Sequence, residues 1–286
     1  MKTRVITAVV GLAVLALVLF TFDTIIFNAI IAGVTLMAIY EVYKAMGMSK
    51  AELPMYLAFI PITLVAMLPD SILDRALLLP LGYLLIAFVC IYLVVRNGTV
   101  SFQKTAGLIM FGGIILLCFY SLIHLKLLLP VEVYQYDAVF FILLILCFAW
   151  GGDTCAYFAG RAFGKHKLCP KVSPKKTVEG AIGGVLGTMA FGVLATFIYS
   201  YAANRVAFFT QSNIGISMYV IIAFLGMVAA VLGIYGDLFA SVVKRQVGIK
   251  DYGSIFPGHG GILDRFDSVL FIAPFVTMVI TVVFYR

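Results

Sequence analysis

Long runs of apolar residues, separated by short polar segments, dominate the pattern along this chain. A helix needs about 20 mostly apolar residues to span a membrane, and somewhat shorter spans occur. We predict a membrane-spanning helix in each of nine runs, roughly 5–22, 24–43, 54–69, 76–95, 105–129, 138–159, 180–203, 216–240 and 266–285. The third run is the weakest, because it is short and contains Pro54, Pro61 and Pro69. Apolar runs of this length differ from the alternating segments of a β-barrel, so strands are not expected.

The composition agrees with a membrane protein. Of the 286 residues, 63% are hydrophobic and 12% are charged, whereas soluble domains are roughly half apolar and about a quarter charged. We therefore expect an all-α polytopic integral membrane protein. The first apolar run has no convincing cleavage site after it, so we interpret it as a retained helix and not as a signal peptide. The five cysteines form no CxxC pair and are interpreted as core residues or free thiols.

The distribution of Lys and Arg indicates an orientation, because cytoplasmic loops are enriched in both. With nine helices, the N-terminus shares a side with the loop after every second helix. Only four of the 20 basic residues fall on the opposite side: Arg75, Lys126, Arg205 and Arg286. We therefore expect a cytoplasmic-membrane protein with its N-terminus in the cytoplasm and its C-terminus outside. The net charge of +7 is then mostly a property of the cytoplasmic face, and no nucleic-acid partner is expected.

Polar chemistry concentrates in two of the cytoplasmic loops, residues 160–180 and 241–266. We therefore divide the chain into N-terminal helices, residues 1–135, and a catalytic region, residues 136–286, that carries both loops.

Asp237 is the first candidate site residue, since it lies late in an apolar run where a carboxylate usually marks a site. Helical spacing places Ser241, Lys244 and Arg245 on the same face as Asp237. Asp264 and Asp267 are three residues apart at the start of the last predicted helix and are expected to share a face. Acids from two neighbouring helices could converge on Mg²⁺, which binds one or two carboxylates together with water and phosphate oxygens. The alternative is a purely structural network of these charges.

Two polar motifs are candidate phosphate sites. The glycine turn PGHGG, residues 257–261, can present backbone N–H groups to a phosphate, and His259 lies within it. A plain re-entrant turn explains PGHGG about as well. The segment SPKKTVEG, residues 173–180, places Lys175 and Lys176 at a predicted helix N-terminus, where a polyphosphate could bind. The alternative is that this segment only starts the helix and anchors it to lipid heads.

A short internal echo links the two loops. Gly152–Ala156 and Gly236–Ala240 both have the form G-D-x-x-A, and both precede a basic loop. This echo hints at a parallel repeat with a site between its halves. The residues alone also allow a transporter or channel in which Asp153, Asp237 and Asp264 line an ion path, although their clustering at one membrane face argues against it.

The pattern S-x-x-K-R-x-x-x-x-K-D, followed by P-G-H-G-G-x-x-D-R-x-D, resembles the signature of the phosphatidate cytidylyltransferase family, also called CDP-diacylglycerol synthases. It comprises Ser241, Lys244, Arg245, Lys250, Asp251, Pro257, Gly258, His259, Gly260, Gly261, Asp264, Arg265 and Asp267. The upstream G-D-T-x-A-Y and S-P-K-K-T-x-E-G elements are also similar to the family. The motifs that carry the resemblance lie within roughly residues 140–286. The first 135 residues resemble the family only in their hydrophobic character.

The resemblance implies an enzyme that converts CTP and phosphatidate into CDP-diacylglycerol and pyrophosphate with Mg²⁺, a second cation being left open. It implies a membrane homodimer with its active site at the cytoplasmic face. Asp237 and Asp264 would be the metal ligands. The other implied catalytic residues are Lys244, Arg245, Asp251, His259 and Asp267, and we expect phosphate binding by Ser173, Lys175, Lys176, Thr177, Glu179, Gly260 and Gly261. A related enzyme that uses CTP on another lipid, such as a CDP-archaeol synthase or a polyprenol kinase, is the closest alternative.

Overall fold

Helices form almost all the regular structure of this computed structural model, which describes residues 2–205, 216–256, 258 and 260–284. The helices are α1 (Lys2–Phe20), α2 (Ile25–Ala45), α3 (Leu53–Leu57), α4 (Phe59–Met67), α5 (Leu78–Val95), α6 (Phe102–Leu128), α7 (Val131–Tyr134), α8 (Asp137–Leu146), α9 (Gly152–Phe163), α10 (Val178–Arg205), α11 (Ile216–Gln246), α12 (Leu263–Phe266) and α13 (Val269–Phe284). Short 3₁₀ turns at Lys50–Glu52 and Arg75–Leu77 precede α3 and α5, and a π-helical turn at Cys147–Gly151 joins α8 to α9.

Seven helical segments of the described chain are long and apolar enough to cross a membrane: Ile25–Ala45, Lys50–Met67, Arg75–Val95, Phe102–Leu128, Asp137–Phe163, Val178–Tyr201 and Ile216–Gln246. Two shorter apolar helices, Val9–Phe20 and Val269–Val282, coincide with the first and last predicted spans. The prediction of an all-α polytopic membrane protein is therefore confirmed in its coarse form. The count of nine spans and the orientation of the termini stay predictions.

The third predicted span is the irregular one, as its three prolines indicate. Lys50–Met67 is built from a 3₁₀ turn followed by α3 and α4, and Pro54 lies in the first turn of α3. Proline is tolerated there because the first N–H groups of a helix have no intrahelical partner.

One small β-hairpin contradicts the expectation that the chain has no strands. Strands β1 (Lys167–Cys169) and β2 (Ser173–Thr177) pair antiparallel, with Lys167 opposite Thr177. A turn closes the hairpin through a hydrogen bond from the Val172 N–H to the Cys169 carbonyl, with Pro170 at its favoured second position. Ser173–Thr177 was expected to enter a helix and instead forms a strand, since its backbone amides and carbonyls find partners across the hairpin.

The chain divides into two compact units, and each is assembled from two separate stretches. The first unit comprises Met1–Tyr120 and Gln246–Arg265, and the second comprises Ser121–Arg245 and Phe266–Arg286. The predicted functional division at residue 135 stays a prediction. All five cysteines are free, as expected.

Helices α9 and α10 of the second unit pack backbone against backbone. Gly152, Ala156 and Gly160 recur at four-residue spacing along α9, and Gly180 and Gly184 do the same along α10. A Cβ atom on Gly180 would lie 2.8 Å from the Ala156 carbonyl oxygen, and one on Gly184 would lie 3.0 Å from the Ala156 Cβ. Small residues at this spacing let membrane helices approach closely, and here they fix Asp153 and the end of β2 beside α10.

The last predicted helix is broken near its start. Asp264 lies in α12, whereas Asp267 lies in the turn that separates α12 from α13. The Asp267 carboxylate accepts a hydrogen bond from the Ser268 N–H at 3.0 Å, and such local side-chain bonds compete with a continuing helix. The prediction that Asp264 and Asp267 share one helical face is therefore wrong.

Candidate functional site

A cavity of about 360 Å³ opens in the second unit among α9, β2, α10, α11 and the start of α13. This volume is typical of a small-molecule site. Phe148, Ile234 and Ile272 contribute apolar walls. The polar side chains that line the cavity are those of Asp153, Tyr157, Arg161, Lys175, Lys176, Thr177, Asp237 and Ser268. The cavity therefore combines an apolar wall with acids and bases, near the starts of α10 and α13 and the second half of α11.

Asp237 is held by two neighbours in this cavity. The Lys176 ammonium forms an ion pair with its Oδ2 atom, and the Ser241 hydroxyl donates to its Oδ1 atom at 3.2 Å. The second contact confirms that Asp237 and Ser241 share a helical face. The first links the 173–180 segment, through Lys176, to the helix that precedes the signature segment, through Asp237.

A second acidic group lies around Ser268. The Ser268 hydroxyl donates to the Asp153 Oδ2 atom at 2.9 Å, while its backbone N–H binds Asp267. Burial raises the pKa of Asp267 to about 7, and the negative charges of Asp237 and Asp153 add to this shift, while the positive charge of Lys244 opposes it. Since like charges raise this pKa, the three carboxylates form a concentration of negative charge that favours a cation.

The predicted phosphate-binding residues of the 173–180 segment have different surroundings. Lys175 is exposed and Lys176 is half-buried, and both line the cavity. The Thr177 hydroxyl accepts the Gly180 N–H at 3.1 Å and so caps α10. The Glu179 carboxylate accepts the backbone N–H groups of Lys165 and His166 and lies 2.6 Å from the His166 ring Nδ1. Ser173 lies opposite Cys169 in the hairpin.

The end of α11 and the loop after it carry the remaining predicted bases and acids. Lys244 is buried and its charge acts on Asp267, whereas Arg245 is exposed at the helix end. Asp251 is also exposed. The predicted roles of these residues in substrate binding stay predictions.

The glycine turn of the signature, residues 257–261 (the signature turn), belongs to the first unit. Asp264 binds backbone amides of the loop that contains it. The Asp264 Oδ2 atom accepts the Tyr252 N–H at 2.8 Å and the Gly261 N–H at 2.9 Å. Gly260 has a φ of +86°, and a Cβ atom there would lie 2.7 Å from Asp264 Oδ2. Glycine at this position thus satisfies both the backbone conformation and the close approach. Pro257 and His259 lie outside the described residues, so the role predicted for His259 stays a prediction.

The predicted enzyme site leaves out two acids, of which Asp153 has a role only in the ion-path alternative and Glu41 has none. Asp153 lines the cavity, and the G-D-x-x-A echo was the signal that paired it with Asp237. Glu41 lies near the end of α2 and is 5% exposed. The rule that selected Asp237, an acid inside an apolar run, also selects Glu41.

The predicted metal site can be compared with the His, Cys, Asp and Glu side chains that could bind an ion. Among the described residues no group of three or more His, Cys, Asp or Glu side chains is arranged to hold a metal ion. A site for Mg²⁺ does not need one, because this ion usually binds one or two carboxylates and completes its shell with water and substrate phosphates. Asp237 lies in the second unit and Asp264 in the first, and their pairing around one ion stays a prediction.

Comparison with known proteins identifies the family. The sequence profile described as the cytidylyltransferase family matches residues 2–283. A phosphatidate cytidylyltransferase of Thermotoga maritima is 32% identical over 276 residues, which cover 96% of this chain and 94% of the relative. Proteins of the same name from Staphylococcus haemolyticus and Bacillus subtilis are 30% and 29% identical, covering 98% and 96% of this chain and 99% and 96% of their own. The similarity thus extends over the first 135 residues, beyond the motifs, and the chain belongs to the cytidylyltransferase family.

Proposed function

We propose that this protein transfers the cytidylyl group of CTP to phosphatidate, giving CDP-diacylglycerol and pyrophosphate for phospholipid biosynthesis. The family, and the phosphatidate cytidylyltransferases that match this chain along almost its whole length, support this reaction. The observation that carries it to this chain is the cavity of the second unit, where Lys176 and Asp237 meet at the ends of apolar helices. A site at helix ends suits a reaction between a soluble nucleotide and a membrane lipid.

The reaction joins two polyanions. An oxygen of the phosphatidate phosphate forms a bond to the α-phosphorus of CTP, and the bond from that phosphorus to the bridging oxygen of pyrophosphate breaks. The attacking phosphate is already an anion, so no strong base is required. The main task is to hold two negatively charged groups together and to stabilise the leaving pyrophosphate. Arg161, Lys175 and Lys176 supply positive charge along the cavity, and Lys244 lies near Asp267.

We also propose Mg²⁺ as the cofactor, with Asp237 and Asp264 as its carboxylate ligands. Carboxylate oxygen is the donor type that Mg²⁺ prefers, and the carboxylates of Asp153 and Asp237 both line the cavity. When bound, the ion would screen the phosphates and polarise the phosphorus that is attacked. A second cation stays open. Lys175 and Lys176 of β2 would orient the triphosphate of CTP. Asp267 would add negative charge that attracts the cation.

The orientation and assembly belong to the same proposal. The excess of basic residues on the N-terminal side supports an active site at the cytoplasmic face, where CTP is available. The family resemblance suggests a homodimer. Size-exclusion chromatography with light scattering of the purified protein in detergent measures the protein mass, and a protein mass of a single chain would contradict the dimer.

The decisive experiment is product formation by the purified protein in detergent with phosphatidate, Mg²⁺ and CTP labelled in its α-phosphate. We expect label in a lipid with the mobility of CDP-diacylglycerol. Chelation with EDTA should abolish it, and the variants Asp237→Asn and Asp264→Asn should each lower turnover by about a hundredfold or more, since each removes a charged group from the transition-state environment.

The matched control is Lys171→Gln, an exposed charge in the hairpin turn outside the cavity lining, which should keep wild-type turnover. Absence of labelled lipid from folded wild-type protein would overturn the assignment to phosphatidate. Label that appears only with another phospholipid acceptor would reassign the lipid substrate, whereas a prenol kinase transfers the γ-phosphate and would leave the α-label in CDP. Full turnover by Asp264→Asn at limiting Mg²⁺ would show that Asp264 is not a ligand of the metal ion.

A further inference from the structure

Glu41 makes an unusual set of contacts for an acid in a membrane-spanning segment. Its Oε1 atom accepts the Ile262 N–H and its Oε2 atom accepts the Leu263 N–H, both at 2.9 Å. These amides lie where α12 begins, so they have no partners within that helix. One glutamate therefore uses both oxygens to hold the backbone immediately before Asp264.

The glycines of the loop are shaped around this carboxylate. A Cβ atom on either Gly253 or Gly261 would overlap the Glu41 carboxylate oxygens. A side chain at either position would therefore displace the Glu41 carboxylate from the amides that it binds, which is a steric reason for glycine at both positions. The G-G pair of the signature is explained in part by a residue more than two hundred positions earlier in the chain.

The loop amides are divided between two carboxylates. Glu41 takes those of Ile262 and Leu263, and Asp264 takes those of Tyr252 and Gly261. All of these groups are buried: Glu41 is 5% exposed, Asp264 6%, Tyr252 5% and Ile262 4%. Hydrogen bonds from amides to buried carboxylates are among the stronger ones in proteins. The conformation of the loop, and with it the direction of the Asp264 side chain, depends on both acids.

We propose that Glu41 is a positioning residue of the active site: it fixes the signature turn and thereby the placement of Asp264. Glu41 has no part in the bond-making step and acts only through the backbone of residues 261–263. The inference rests on the proposed function for its catalytic consequence, whereas its structural part stands on the contacts alone.

The test is Glu41→Gln, which keeps the size of the side chain. The glutamine oxygen can accept one of the two amides, but its NH₂ group then faces the other N–H. Hydrogen exchange of the purified protein, followed by mass spectrometry of peptides covering residues 250–265, should be faster by on the order of tenfold to a hundredfold, as expected for loss of a charge-assisted hydrogen bond.

Glu52→Gln is the matched control. Glu52 is also a buried glutamate of the first unit, 3% exposed, and its two oxygens accept the N–H groups of Ser49 and Ser101 at 2.6 and 3.2 Å. Its substitution should lower the melting temperature about as much as Glu41→Gln does. It should leave exchange of residues 250–265 unchanged and accelerate that of the segments around Ser49 and Ser101.

Activity separates positioning from general stability. With CTP and phosphatidate, Glu41→Gln should lower kcat by about tenfold or more while KM for CTP changes little, because the loss falls on the transition state. Glu52→Gln should retain wild-type kcat. Unchanged exchange of residues 250–265 in Glu41→Gln, or equal loss of kcat in both variants, would overturn the proposal. A wild-type protein without cytidylyl transfer would defeat the proposed function, and the exchange result would still decide the structural role of Glu41.

Discussion

At the scale of single residues, Lys176 is the base whose contact is best defined, because it forms an ion pair with Asp237 inside the cavity. We expect Lys176→Gln to lower kcat/KM for CTP by about tenfold to a hundredfold, the usual effect of losing a hydrogen bond to a charged group. Steady-state kinetics at saturating phosphatidate measures this change. Lys176→Arg keeps the charge and should retain more activity than Lys176→Gln.

The control for Lys176 is Lys167→Gln, which alters an exposed lysine of the same hairpin that does not line the cavity. It should behave as the wild type. If Lys176→Gln and Lys167→Gln have equal effects, the Lys176–Asp237 pair is purely structural, in keeping with the alternative that the 173–180 segment only starts a helix and anchors it to lipid heads.

The sequence predicts some residue contacts and not others, and the separation of the partners explains the difference. Asp237 and Ser241 are four residues apart on one helix, so helical periodicity was enough to pair them. Glu41 and Ile262 are 221 residues apart, and no local pattern connects them. The contact between Lys176 and Asp237 was expected only in the general sense that two polar loops serve one site.

At the scale of elements, the close packing of α9 against α10 sets the shape of the cavity. A Cβ atom on Gly183 would overlap the Cβ atom of Ala159, which cannot move without shifting its helix. We expect Gly183→Ala to lower the free energy of unfolding by about 1–3 kcal/mol, as overpacking commonly does. Thermal denaturation followed by tryptophan fluorescence or light scattering measures the loss as a lower melting temperature.

The reciprocal exchange makes this prediction specific. Ala159→Gly combined with Gly183→Ala moves the methyl group across the interface and should restore most of the lost stability. Gly113→Ala is the neutral control, because a Cβ atom there meets nothing within 4 Å. A double variant as unstable as Gly183→Ala would show that the two helices are not in the contact described.

Helix positions followed from the apolar runs, but the short elements did not. The runs 24–43 and 216–240 correspond to α2 and α11 within a few residues, since an apolar run of spanning length has few alternatives in a membrane. The β1–β2 hairpin is too short and too polar to produce a periodic signal. The break between α12 and α13 depends on the side chain of Asp267, which binds the Ser268 N–H.

At the scale of the whole molecule, the predicted orientation can be measured with single cysteines. In a background without the five native cysteines, Lys171→Cys and Ser71→Cys place an exposed thiol in the hairpin turn and in the loop before α5. We expect a membrane-impermeant thiol reagent to label Lys171→Cys only in inside-out vesicles. It should label Ser71→Cys only in right-side-out vesicles, because the distribution of basic residues predicts that these loops lie on opposite sides.

Each labelling result needs a matched control. Solubilising the vesicles in detergent should make both thiols reactive, which shows that neither is simply buried. Labelling of Lys171→Cys from the outside would reverse the proposed orientation and place the cavity lysines away from cytoplasmic CTP. Labelling of both positions from one side would reduce the number of crossings between them by one.

The Glu41 contacts also have a consequence for the order in which parts of the first unit can form during synthesis. Glu41 lies in α2, and the first of the amides it binds follows 221 residues later, which at typical elongation speeds is about 10–40 s. During that interval the nascent first unit contains an acid whose final partners do not yet exist. In the predicted orientation Glu41 lies near the cytoplasm-facing end of α2. Its carboxylate can therefore be solvated by lipid head groups and water until its amide partners have been synthesised. Residues 246–265 then complete a unit whose other residues, up to Tyr120, are synthesised much earlier, so a chain whose synthesis stops before residue 262 lacks the amides that Glu41 binds.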